Sequence, residues 1–163
     1  MEQEKEKNEE TFVKKVVQTA LEAERQIRRQ QVLHNTRMLM EEYIEMKRHI
    51  ESAVSEEEEL KEEQYDVFRG EGAHLGSVRR SKMKTAMMIA NIDRAMEELR
   101  AEYETKEMTY KYDAFKTHYI DGASYEEIAD IQNCGKNTPS RWSKELIRKM
   151  SVKLFGIDGV EKY

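Results

Sequence analysis

From Thr11 to Val54 the chain contains neither glycine nor proline. So long a run without a residue that breaks or turns the backbone favours long helices. The rest of the chain agrees. Seven glycines and one proline in 163 residues are too few for an all-β protein, which needs many turns. Glu, Lys, Arg, Met, Ala and Ile dominate, and these residues favour helices. An all-α fold is therefore expected.

Apolar residues then say how the helices must be covered. Val32, Leu39, Tyr43, Met46, Ile50 and Ala53, with Thr36 between, recur at steps of three and four. That is the spacing of one helix face. Phe12, Val16, Ala20, Ala23 and Ile27 form a second stripe upstream. The two need not share a register, which allows a break near residues 28–31. An unbroken helix of ~44 residues would span ~66 Å. It cannot bury its own stripe, so it must pack on another helix or on another chain. A further helix is expected from about Ser77 to Tyr103 or beyond, with Met88, Ile92, Ala95, Met96, Leu99 and Tyr103 as its stripe. The simplest arrangement is a long N-terminal helical hairpin, a coiled-coil-like arm over residues 11–106. A loop at about 55–77 would interrupt it, where the self-repelling EEEELKEE precedes Gly70, Gly72 and Gly76. Residues 1–10 read as a disordered acidic tail and residues 157–163 as a C-terminal tail.

Residues 107–156 are organised differently. Thr109 opens a short segment with Tyr112, Phe115, Tyr119 and Ile120 on one face, and Asp121-Gly122 ends it. Ser124, followed three residues later by Glu127, is a capping box. The helix it starts covers about 125–132. Asn133-Cys134-Gly135 forms a turn, since Asn and Gly tolerate positive φ. Thr138-Pro139 begins a last helix that runs to Phe155 and stops at Gly156. Helix, tight turn, helix is a helix-turn-helix. Ala129 is small where the two helices cross, and Cys134 plugs the turn. Trp142, Leu146, Met150 and Leu154 step by four along the inward face; Asn137, Arg141, Lys144 and Arg148 line the opposite one.

Charge gives that outer face a partner. The chain carries a net −5, yet residues 136–153 hold six basic groups against Glu145 alone. A basic stretch in an acidic protein suits phosphate. With the helix at about 138–155 in a major groove, Arg141 would grip guanine O6 and N7. Asn137 and Ser140 would meet base edges or phosphate, and Lys136, Lys144 and Arg148 would meet phosphates. Acidic residues 1–70 cannot help DNA binding, so that half is assigned to protein contacts.

The stretch GASYEEIADIQNCGKNTPSRWSKELIRKMSVKLFGIDG (122–159) resembles the C-terminal part of ArpU-like regulators. These are phage and prophage transcriptional regulators of late genes. HNTRMLMEEYIEMKRHIESAV (34–54) and SKMKTAMMIANIDRAMEEL (81–99) resemble that family's upstream helices. The resemblance covers about 34–159. It implies a helix-turn-helix of the sigma-factor region-four type, read in SYEEIA, acting on packaging or lysis operons. It implies a cytoplasmic, nucleoid-associated protein in a bacterial host. It places Lys136, Asn137, Ser140, Arg141 and Lys144 against DNA. Sigma-like readers usually carry Leu, Gly and Val where this chain has Gln132, Asn133 and Pro139.

Other chemistries lack their residues. No histidine stands at zinc-ligand spacing, and there is no phosphate loop, G-x-S-x-G or H-E-x-x-H. No enzyme activity, metal or cofactor is expected. One cysteine cannot form an internal disulfide, which suits a reducing compartment. No apolar run is long enough to span a bilayer. The expected partners are double-stranded DNA, RNA polymerase and a second copy joined through the N-terminal helices. Two alternatives stand beside the transcription regulator. One is a small-terminase-like DNA-packaging assembly protein. The other is a sigma-like subunit that reads DNA only with RNA polymerase.

Overall fold

In the computed structural model the backbone is described for residues 2–52 and 72–156, and side chains for 11–52 and 80–156. The described residues are helical throughout, joined by tight turns, as the sequence requires. Helix α1 spans Glu2–Glu41, and after a bend at Glu42 helix α2 occupies residues 43–52. Helices α3 (Gly72–Thr105), α4 (Thr109–Tyr119), α5 (Tyr125–Ile131) and α6 (Thr138–Phe155) follow. No described helix is long and apolar enough to cross a membrane.

Three expectations about the first half change. The acidic start is helical from Glu2, not a disordered tail. The break near residues 28–31 is absent; the interruption comes at Glu42, where the helical bonds Glu42 N–H to Met38 O and Met46 N–H to Glu42 O persist at 3.0 and 2.9 Å. Helix α3 begins at Gly72, inside the expected loop, the rest of which lies largely outside the described residues. The C-terminal tail also lies outside them.

The packing differs more. Helix α1 does not run along α3, but its continuation α2 does meet α3 as the hairpin requires: the Tyr43 hydroxyl donates to Asp93, and Lys47 pairs with Asp93 at 3.6 Å. The second half of α1 lies against α6, and α3 packs on α6 and α4. Met40 and Tyr43 join Ile89, Ile92, Leu99 and Tyr103 in one cluster with Phe115, Leu146, Ile147 and Met150. The N-terminal helices and α3, α4 and α6 thus share a single core. Each fully buried side chain of the size of Leu99 or Met150 contributes ~1.5–3 kcal/mol relative to exposure.

The two stripes of α1 explain the arrangement. Val32, Thr36 and Met40 are buried, whereas Phe12, Val13, Val16, Val17, Leu21 and Ile27 are 48–69% exposed. At 100° per residue the outer stripe points about 150° away from the buried one. The first half also extends beyond the body, exposed on every face over residues 11–28, so its apolar stripe faces solvent. At the buried end of α1, Thr36 Oγ1 donates to Val32 O at 2.8 Å, so the hydroxyl enters the core satisfied.

Candidate nucleic-acid interface

Local chemistry builds α5, the tight turn and α6 from the signals the sequence carries. The Ser124 hydroxyl accepts from Glu127 N–H at 3.2 Å, and the Glu127 carboxylate accepts from Ser124 N–H at 2.7 Å. This closes the capping box at the start of α5. These bonds hold the Glu127 carboxyl below the usual carboxylate range. At the other end Asn133 has φ 48°. Cys134 N–H donates to Ala129 O at 2.9 Å and Asn133 N–H to Asp130 O at 3.2 Å. That pair of bonds is a Schellman turn with Asn in the left-handed position. Gln132 Nε2 donates to Tyr110 O at 3.1 Å and ties the turn to the start of α4. Asn137 is the N-cap of α6 through its backbone only, and Pro139 occupies the first turn, buried. Gly156, at φ 60°, ends the helix.

Helix α4 lies beneath this pair, with Ala114, Phe115 and Tyr119 buried. The His118 ring stacks on Tyr125 with centroids 3.9 Å apart, and its Nδ1 lies 2.8 Å from Ala123 O. Trp142 meets Tyr110 edge-on at 5.1 Å. Trp142 and Leu154, expected to face inward, are half-buried. The fully packed face of α6 is wider than the expected stripe: Pro139, Ser143, Leu146, Ile147, Met150 and Ser151 are all buried. Helices α1, α3, α4 and α5 all pack on α6, and on the α1 side Ile147 lines a cavity with Arg37 and Glu41. Ser143 Oγ is buried without a hydrogen-bond partner among the described residues.

The basic run of α6 divides between two faces. Lys149 pairs with Glu102 at 2.5 Å and Lys153 with Glu98 at 3.0 Å, both on α3. Glu145, the lone acid of the run, accepts from Tyr103 at 2.7 Å and from Lys111 at 2.8 Å. Burial alone would raise the Glu145 pKa, but the bonds from Lys111 and Tyr103 outweigh it and hold the carboxyl below its ordinary range. Bonds from Lys106 and Lys149 do the same for Glu102. Burial and the neighbouring Glu145 push the Tyr103 hydroxyl strongly upward, so it stays a donor. These cations and carboxylates fasten α6 to α3.

The other residues singled out from the sequence fall as follows. Asn137, Arg141, Lys144 and Arg148 are exposed along one narrow strip of α6. Arg141 and Lys144 make no ion pair among the described residues. Lys136 is exposed beside the strip and pairs with Glu126 at 2.6 Å. Ser140 is half-buried. It lines a cavity of about 230 Å³ with Lys144, Ile147, His118, Tyr119 and Tyr125, closed on one side by Arg37 and Glu41 of α1. Arg37 is exposed at the rim of this cavity with Lys144, a position sequence reasoning did not single out. Its signal in the sequence, a cation one residue past Thr36 of the buried stripe, acquires meaning only once α1 is known to flank α6. Among the described residues no group of three His, Cys, Asp or Glu side chains could hold a metal ion.

Comparison with models of known protein families, with curated proteins and with solved structures finds no match.

Proposed function

We propose that the chain is a double-stranded DNA-binding transcription regulator that lays α6 in the major groove. One observation carries the reading. A capped three-helix unit exposes a single strip, Asn137, Arg141, Lys144 and Arg148, on the second helix of a tight turn. Donors at successive turns of one helix suit base edges and phosphates together. Arg141 reads guanine, Asn137 and Ser140 meet base edges or phosphate near the helix start, and Lys136, Lys144 and Arg148 neutralise phosphates. Arg37 adds a phosphate contact from α1, which departs from the expectation that residues 1–70 serve protein contacts alone, because α1 places it beside Lys144. By the sequence resemblance, the target is a late operon of a phage or prophage, and the site of action is the nucleoid of a bacterial host. The chain acts as a binder and not as an enzyme.

Fluorescence anisotropy of a labelled duplex from the chain's genomic neighbourhood, titrated at several salt concentrations, tests this. Wild type should bind with a steep negative salt slope. Arg141→Ala with Lys144→Ala should bind more weakly and with a slope shallower by about 1–2. Absence of binding at low salt overturns autonomous DNA recognition. Binding that appears only after adding core RNA polymerase would favour the sigma-like reading.

A further inference from the structure

We infer that the outer half of α1 pairs with the same segment of a second copy of the chain, antiparallel, about a two-fold axis between Val16 and Val17. This segment is helical, yet nothing among the described residues covers its apolar side. Val13, Val16 and Val17 are β-branched and only fair helix formers, so packing must sustain the helix. Between residues 12 and 21 the stripe is its own mirror image. Reading each residue against its counterpart across the axis sets Phe12 on Leu21, Val13 on Ala20, and Val16 on Val17. Every position of the stripe from 12 to 21 meets an apolar partner.

Charge selects the direction. The sequence of residues 2–10 has five carboxylates and two lysines, while its mirror segment, 23–31, has three arginines and one glutamate. Antiparallel pairing brings the acidic end of each copy to the basic end of the other. Parallel pairing would set like against like. Side by side over residues 2–31, about 45 Å of helix, two copies hide on the order of 1,000 Å² in all. That is the lower bound of a specific interface, so the dimer should depend on concentration. Self-pairing of this kind is isologous and closes at two copies.

The pairing deepens the DNA reading and rests on it in one respect, the placing of half-sites. Arg37, beside the recognition strip, lies about 31 Å along the helix from the axis, so two recognition units stand about 62 Å apart. That is close to two turns of B-form DNA.

The test begins without DNA. Sedimentation equilibrium of the full chain from 1 to 100 µM should show a monomer–dimer equilibrium, and Val16→Glu with Val17→Glu should remain monomeric. In a Cys134→Ser background, Val13→Cys and Ala20→Cys proteins are oxidised separately and mixed. Disulfide-linked dimers should form in the mixture and not in either protein alone. A wild-type monomer at all concentrations, an assembly larger than two, or efficient linkage of Val13→Cys to itself would each overturn the inference. A dimer that passes these tests but binds no DNA would uphold the pairing and overturn the functional reading. With DNA, Val16→Glu with Val17→Glu should retain binding to one half-site and lose the gain from a second half-site two turns away.

Discussion

The hydroxyl of Tyr103, at the end of α3, donates to Glu145 of α6 at 2.7 Å, 42 residues away in the chain. The bond joins the element that carries the core stripe to the element that carries the exposed basic strip. Lys111 of α4 completes the triad at 2.8 Å, so three helices meet at one carboxylate. Tyr103→Phe keeps the ring in the core and removes only the bond. It should cost about 1.5–3 kcal/mol, as expected for a hydrogen bond to a charged group. Urea denaturation of both proteins measures it, and an unchanged midpoint would show that Lys111 alone suffices.

Stability should fall in acid for a defined reason. Glu102 and Glu145 have pKa values below the ordinary carboxylate range in the folded chain. Their contribution is complete above the unfolded value of about 4.3 and is lost as pH falls through the folded values. Thermal melting should therefore be level from pH 7 to about 5 and decline below that. Glu102→Gln should flatten the decline, since Lys149 and Lys106 then lose a partner that titrates.

The turn between α5 and α6 depends on a residue that accepts positive φ. Asn133→Gly should leave stability near wild type. Asn133→Val should lose about 1–2 kcal/mol, because a β-branched side chain is disfavoured in the left-handed region. Thermal shift measures both, and equal melting of the two variants would mean that the turn rearranges.

Arg37 and Arg141 should separate on DNA. If the proposed reading holds, Arg37→Ala should weaken binding to all duplexes alike and reduce the salt slope by about 1. Arg141→Ala should cost about 1–3 kcal/mol on the preferred sequence and relax discrimination at one base. Anisotropy against specific and scrambled duplexes distinguishes the two outcomes.

Much of the second half of the chain was legible because its rules are local. Ser124 with Glu127, Asn133, Thr138-Pro139 and Gly156 each act within a few residues, and each appears where the sequence places it. The assignment of faces was not local. Lys149 and Lys153 looked like part of a phosphate-binding run, but their partners Glu102 and Glu98 lie 47 and 55 residues away. Ile147 is buried on the side where α1 lies, beside Arg37 and Glu41, and periodicity within α6 carries no information about α1. The same limit hid Arg37. Within α1, periodicity marked both stripes but not which of them the body would bury.

Because α1 runs without interruption from Phe12 to Arg37, it behaves as a ruler with a fixed phase. One residue inserted near Gln30 would turn the outer stripe by about 100° relative to the body while lengthening the helix only about 1.5 Å. Seven inserted residues would return the stripe nearly to its facing and move it about 10 Å farther out. Orientation and reach are thus written into a single count of residues, and changing one without the other requires whole turns.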